Sequence, residues 1–196
     1  MFPEAISIRS PRFWVVALLL LGLGSVPLLA AVFNQPFYLT QFGRIMIYAI
    51  AACSLNLLIG YTGLVSFGHA MYLALGAYAA AILGFHELNN GWLHLAAAVG
   101  GSALVAALIG LVVLRTSGMG FIMITLAFAQ MMFFLGISLK QYGGDDGLRL
   151  AARSALAPLD LTSATHLYWL TFGVLLAVLY GSWRLVHARF GYTLRG

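Results

Sequence analysis

Six apolar stretches, separated by short polar or glycine-rich segments, run along the whole chain. A membrane-spanning helix rises about 1.5 Å per residue and needs about 20 apolar residues to cross a hydrocarbon core about 30 Å thick. Most of the stretches approach that length, so the pattern predicts an all-α polytopic membrane helix bundle with about six transmembrane helices. The predicted spans are residues 14–33, 45–59, 71–85, 95–114, 121–139 and 167–185.

The second and third stretches are short, and between them lies the glycine-rich sequence GYTGLVSFGH at residues 60–69. A helix of about 15 residues reaches only about 22 Å, so this connection is expected to lie partly within the membrane. Non-helical backbone persists at that depth only where protein or water satisfies its polar groups. We therefore predict a broken or re-entrant segment at residues 60–70, the type of element on which transporters build their sites.

Two interpretations of this segment stay open. Either its glycines let the backbone approach a substrate or a moving helix, or the segment is a tight turn between two short helices. His69 and Gln130 have similar alternatives, because a polar side chain at membrane depth faces the bundle interior and binds either another helix or a transported molecule. The candidate path residues are Asn56, Gly60, Thr62, Gly63, Ser66, Gly68, His69 and Gln130.

Composition supports the membrane interpretation. The chain is 62% hydrophobic and 8% charged, whereas soluble domains are about half apolar and about a quarter charged. Its mean hydropathy is +0.97. The net charge of +5 comes from Lys and Arg residues that are scattered singly, so the sequence predicts an integral membrane protein in contact with lipid and without a nucleic-acid partner.

The scattered basic residues also predict the orientation, because Lys and Arg are enriched in cytoplasmic loops. With a cytoplasmic N-terminus and six spans, more of them lie inside than outside, which places both termini in the cytoplasm. A cleavable signal peptide at the first stretch is the weaker alternative, since that stretch exceeds the usual apolar core of about 7–15 residues. The inside group is Arg9, Arg12, Arg115, Arg184, Arg189 and Arg195, and the outside group is Arg44, Lys140, Arg149 and Arg153.

The sequence contains no pattern typical of enzyme chemistry. It has no glycine-rich phosphate loop ending in Lys-Ser or Lys-Thr, its histidines lack the spacing of a zinc protease, and Cys53 has no neighbouring thiol. Asp145 and Asp146 are adjacent and lack the alternating oxygen ligands of a calcium loop. We therefore predict a protein that is not an enzyme, without catalytic, metal-binding or cofactor-binding residues.

Several ordered motifs from residue 45 onwards resemble one family. These are LNLLIGYTGLVSFGHA at residues 55–70 with LGAY at 75–78, IMITLAFAQ at 122–130, YGGDDGL at 142–148 and RFGYTLRG at 189–196. Together they resemble the permeases of branched-chain amino-acid ABC importers, LivM type. The resemblance covers the chain to its last residue, whereas the first forty residues add little to it.

This resemblance implies a multi-pass permease of the bacterial inner membrane. Such a permease pairs with a sister permease, is driven by two cytoplasmic ATPase subunits that bind ATP in its place, and receives substrate from a periplasmic binding protein. Asp145 and Asp146 would then lie in an outer loop near the docking site of that binding protein. Arg189, Gly191 and Arg195 would begin the cytoplasmic coupling loop.

Family members continue past the position at which this sequence stops, with the rest of the coupling loop and further spans. Residues 1–196 are therefore expected to form a single permease domain equivalent to about the first two-thirds of the family domain. The alternatives to an importer subunit are a self-sufficient passive channel or secondary carrier, and a truncated remnant that does not transport. Because related permeases carry other amino acids, amides or urea, the resemblance leaves the substrate open beside leucine, isoleucine and valine.

Overall fold

The computed structural model describes residues 11–33, 35–148 and 163–188. Helices account for most of this part of the chain, and no strand occurs in it. The connection between the fifth and sixth helices contains two single-turn 3₁₀ helices, at Lys140–Tyr142 and Gly144–Asp146. The α-helices are α1 Pro11–Val32, α2 Phe37–Thr62, α3 His69–Phe85, α4 Gly91–Val113, α5 Met119–Ser138 and α6 Ala164–His187.

The predicted all-α membrane bundle is confirmed. Five of these helices, all except α3, are long and apolar enough to cross a membrane. The shorter apolar helix α3 has 17 residues and a length of about 26 Å. The chain is thus a multi-pass membrane protein, and the shorter helix α3 directly follows the glycine-rich segment.

The second span differs from the prediction, because α2 has 26 residues and not about 15. It begins at Phe37, eight positions before the predicted start, so Arg44 lies inside the helix instead of in the preceding loop. It also continues through Gly60 to Thr62, since a single glycine costs a helix only about 1 kcal/mol. Polar residues near both ends of α2 had concealed its true length, and the non-helical break is correspondingly confined to residues 63–68.

The helices form two groups, each with its own apolar cluster. In the first group α2 packs against α6 and α1, and in the second α3 packs against α4 and α5. The two groups are connected in sequence by the break between α2 and α3. The buried residues of the first cluster are Val26, Ala30, Leu39, Met46, Tyr168 and Leu175, and those of the second are Met71, Ile109, Val113 and Phe121.

Small residues let α3 and α4 approach closely. A Cβ atom placed on Gly76 would lie 3.4 Å from Ser102 Oγ, and one placed on Gly101 would lie 3.9 Å from the Cβ of Ala79. The Ser102 hydroxyl also donates a hydrogen bond to the carbonyl oxygen of Tyr72, at 3.4 Å. Close backbone approach of this kind is the usual basis of helix association in membranes.

A polar contact holds α6 to α1 in the first group. Tyr168 is fully buried, and its hydroxyl donates to the carbonyl oxygen of Leu23 at 2.6 Å. In a regular helix that carbonyl accepts from the residue four positions later, but here that residue is Pro27, which has no N–H. Tyr168 therefore supplies from α6 the donor that α1 itself lacks.

Candidate functional site

The break between α2 and α3 is an ordered turn. Gly63 ends α2 in the left-handed conformation, with φ +67° and ψ +7°, a common helix terminus that favours glycine. The Ser66 hydroxyl accepts a hydrogen bond from the amide nitrogen of Gly68 at 3.2 Å. The amide nitrogen of Met71 then donates to the Gly68 carbonyl at 3.1 Å, in the first turn of α3.

Helix α5 supports the break at one position. The Phe67 amide donates to Thr125 Oγ1 at 3.3 Å, and Thr125 is buried with 6% of its surface exposed. Gly68 packs so closely against the same residue that an added Cβ would lie 3.0 Å from the Thr125 carbonyl oxygen. This contact favours glycine at position 68, and it joins the non-helical segment to the second helix group.

A second contact joins the break to α2. Ser54 Oγ and His69 Nε2 lie 2.6 Å apart and share a hydrogen bond whose donor depends on the histidine tautomer. Ser54 belongs to α2 in the first helix group, whereas His69 is the first residue of α3 in the second. Polar contacts on two sides thus hold the break where the two groups meet.

A cleft of about 1090 Å³ lies between the groups, beside this contact. One wall is α2, and the other is formed by α3 and α4. The wall residues of α2 extend from Arg44 to Ser54, a distance of about 15 Å along the helix axis. The lining comprises Arg44, Ile47, Tyr48 and Ser54 of α2, Tyr72, Leu73, Gly76 and Ala77 of α3, and Ala98, Val99 and Ser102 of α4.

The cleft combines apolar walls with a few polar groups, as small-molecule sites in proteins usually do. Arg44 contributes a positive charge, and Tyr48, Ser54 and Ser102 contribute hydroxyl groups. Another cavity, of about 670 Å³ between α1 and α2, is lined mostly by apolar residues such as Leu18, Val26 and Phe42, together with Ser25, Gln35 and Tyr38. Unlike the cleft, this cavity has no charged residue in its described lining.

The residues predicted from the break are placed in two different surroundings. Thr62, Gly63, Ser66, Gly68 and His69 are brought together at the junction of α2, α3 and α5. The Thr62 hydroxyl donates to the carbonyl oxygen of Leu58, within its own helix.

Asn56 and Gly60 lie one turn apart on an exposed side of α2, where a Cβ on Gly60 would lie 3.3 Å from Asn56 Oδ1. Gln130 is exposed on α5, about 7.5 Å along the axis from Thr125. None of the eight predicted path residues is among those that line the cleft.

The outer-loop candidates Asp145 and Asp146 belong to the second 3₁₀ turn, and both are exposed. The loop depends on glycine at position 143, where φ is +87° and an added Cβ would overlap the carbonyl group of Gly147. Tyr142 fixes the loop to the end of α3, because its hydroxyl lies 3.2 Å from His86 Nε2. The coupling-loop candidates Arg189, Gly191 and Arg195 lie outside the described residues.

Sequence reasoning missed the contributions of Arg44, Ser54 and Thr125. Arg44 had been assigned to a loop because the start of α2 was placed too late. The sequence does contain a signal for the cleft, since Arg44, Tyr48 and Ser54 fall on one side of a continuous helix once α2 is extended to Phe37. Within the described residues, no group of three His, Cys, Asp or Glu side chains is placed to hold a metal ion.

Comparisons with known proteins agree with this architecture. Residues 37–196 match the family model described as the permease component of branched-chain amino acid transport systems. The chain is 31% identical over 122 residues to the high-affinity branched-chain amino acid transport system permease protein LivM of Salmonella typhimurium, a match covering 62% of this chain and 29% of the relative. It is 30% identical over 129 residues to the LivM protein of Escherichia coli, covering 65% of this chain and 30% of the relative.

These matches therefore include under a third of the length of either curated relative. No solved structure matches the chain.

Proposed function

The chain belongs to the family of permease components of branched-chain amino acid transport systems, and from this premise we propose that it is a transmembrane permease subunit of an ATP-driven importer. Its substrates are the branched-chain amino acids leucine, isoleucine and valine. It forms the translocation path together with a sister permease. The chain carries out no chemical reaction, and its contribution is the movement of helices around the path.

The cleft between the two helix groups is the observation that carries this proposal. Each group has its own apolar cluster, and packed clusters resist deformation. The two groups are joined by a short break that has glycine in a left-handed conformation at one end. Rotation of one group against the other about such a connection opens or closes a cleft by rigid-body motion.

The contacts at Ser54 and Thr125 give this motion a structural basis. They connect the break to α2 on one side and to α5 on the other, so displacement of either group shifts His69 and Gly68. A substrate shifts the equilibrium between the two arrangements only as far as its affinities for them differ. We propose that the inward-open and outward-open states differ in these contacts. Gly68 and His69 would then act at the cytoplasmic end of the path.

The proposed partners supply the energy and deliver the substrate. ATP is bound by two cytoplasmic ATPase subunits, so this chain needs no cofactor of its own. A periplasmic binding protein docks on the outer loop that contains Asp145 and Asp146, and the coupling loop beginning at Arg189, Gly191 and Arg195 meets the ATPases. We accordingly propose that the protein lies in the bacterial inner membrane with both termini in the cytoplasm.

Reconstitution tests the proposal directly. The tagged chain is purified from native membranes, the co-purifying proteins are identified, and uptake of radiolabelled leucine is measured in proteoliposomes with and without ATP. Recovery of ATPase and sister-permease subunits together with ATP-dependent uptake is expected. Uptake that continues without ATP would identify a passive channel or secondary carrier, and isolation without partners or uptake would identify a chain that does not transport.

A further inference from the structure

Arg44 is the single charged residue in the described helices α2, α3, α4 and α5. It lies seven positions after the start of α2, about 10 Å along the helix, and α2 at about 39 Å exceeds the thickness of the hydrocarbon core. An arginine within a membrane helix is energetically expensive, and most such residues face a cavity or a partner. Arg44 does face a cavity, because its side chain lines the cleft between the two helix groups.

The described lining of the cleft provides no acidic side chain with which Arg44 could form an ion pair. Its described residues include no Asp or Glu, so the guanidinium group finds no carboxylate partner within the cleft itself. Guanidinium is planar and binds a carboxylate with two parallel hydrogen bonds. A ligand with a carboxylate group would therefore supply the partner that the Arg44 guanidinium lacks in this cleft.

The surroundings of Arg44 fit the rest of an amino acid. Tyr48 lies one turn further along α2 on the same side, and side chains four positions apart on a helix have Cβ atoms about 5–6 Å apart. An aromatic ring attracts a cation placed over its face, so Tyr48 suits the ammonium group bonded to the same carbon as the carboxylate. Ile47, Leu73 and Val99 provide apolar surface for an aliphatic side chain.

We infer that Arg44 binds the α-carboxylate of an amino acid in the cleft, with Tyr48 beside the ammonium group and the aliphatic side chain against α3 and α4. This assignment rests on the proposed function and assigns recognition of the carboxylate that its substrates share to one residue. A free carboxylate distinguishes amino acids from amides and urea, which have no anionic group to pair with Arg44. Ser54 lies about 15 Å further along α2, at the end of the cleft that adjoins the break.

The test measures how strongly the cleft distinguishes a carboxylate from a hydroxyl group. The purified chain is placed in nanodiscs of phosphatidylcholine, and binding of radiolabelled L-leucine is competed with L-leucine or with L-leucinol, in which CH₂OH replaces the carboxylate. The variants are Arg44→Gln and, as the matched control, Arg184→Gln. Arg184 is also an exposed arginine on a spanning helix, but it does not line the cleft.

The original chain is expected to prefer leucine over leucinol by about tenfold or more, the factor typical of a charge-assisted hydrogen bond. Arg44→Gln should abolish this preference, and Arg184→Gln should leave it unchanged. If Arg44 had a purely structural role, its replacement would weaken the binding of leucine and of leucinol equally. A preference for leucine over leucinol that survives in Arg44→Gln therefore overturns the assignment. If Arg44→Gln does not fold, the original chain alone decides, because equal binding of the two ligands also overturns it.

Three further outcomes separate this assignment from its alternatives. If phosphatidylglycerol in the nanodiscs blocks leucine binding to the original chain but not to Arg44→Gln, then Arg44 holds a lipid phosphate and the amino-acid assignment is wrong. If the original chain binds neither leucine nor leucinol, both the assignment and the proposed substrate class fail. Leucine binding that does not depend on Arg44 overturns the assignment alone and leaves the importer proposal standing.

Discussion

Ser54 Oγ and His69 Nε2 lie 2.6 Å apart, so a side-chain hydrogen bond joins α2 to α3 across the non-helical break. Ser54 belongs to α2 and His69 is the first residue of α3, and Ser54 also lines the cleft. This bond is the point at which the cleft and the break meet. A change in the distance between the two helix groups must therefore stretch or release it.

We expect Ser54→Ala to lower the free energy of unfolding by about 0.5–1.5 kcal/mol, the usual net value of one hydrogen bond. Thermal unfolding in nanodiscs measures this loss. Ser138→Ala is the matched control, because the Ser138 hydroxyl bonds only to Leu135 O within its own helix. Equal stability losses in the two variants would show that the Ser54 contact does not hold the helix groups together.

Gly63 should tolerate asparagine better than alanine. Its φ of +67° lies in the left-handed region, where a residue with a Cβ atom is destabilised by about 1–2 kcal/mol and asparagine is the best-tolerated substitute. We expect leucine uptake to fall in Gly63→Ala, to be abolished in Gly63→Val, and to be largely kept in Gly63→Asn, at equal expression. Normal uptake by Gly63→Val would contradict a role of this conformation in transport.

Gly68→Ala should separate the break from α5. The added methyl group would lie 3.0 Å from the Thr125 carbonyl oxygen, and crowding of this kind costs about 1–3 kcal/mol. Gly100→Ala provides the comparison, since a Cβ on Gly100 has no neighbouring atom within 4 Å. Uptake and thermal stability measured for both variants should fall only in the first, and indistinguishable results would show that the Gly68 contact is dispensable.

Tyr168→Phe should destabilise the first helix group by about 1–3 kcal/mol, because it leaves the partly buried Leu23 carbonyl without its donor. Pro27→Ala restores a backbone N–H to α1, so adding it to Tyr168→Phe should recover part of the loss. Urea or thermal unfolding of the single and double variants gives the interaction energy. Additive effects would show that Tyr168 and Pro27 act independently.

The break itself was predictable from sequence, because glycine and polar residues are concentrated between two apolar stretches. Its exact extent was not, since Gly60, Tyr61 and Thr62 are helical in the structure. Their individual helix preferences are weak, and the hydrogen bonds of a long spanning helix outweigh them. The helical position of Arg44 was also not predicted, because a charged residue just before an apolar stretch is easily assigned to a loop.

Contacts between distant residues carried no sequence signal. Phe67 and Thr125 are 58 positions apart, and neither the apolar pattern nor the spacing of polar residues pairs them. The sequence singled out Gln130 on the same helix, which the structure places on an exposed side of α5. The roles of Gln130, Asn56 and the outer-loop aspartates remain predictions that uptake measurements on single variants can test.

The contact of Tyr168 with Leu23 also determines how early the first helix group can form during synthesis. The two residues are 145 positions apart, and at about 5–20 residues per second a ribosome needs about 7–30 s to add that length of chain. For this interval α1 is in the bilayer without its partner from α6. Helix α1 is thus matched to a helix made much later, and a nascent chain stopped before residue 168 would expose an unfinished first group to membrane quality control.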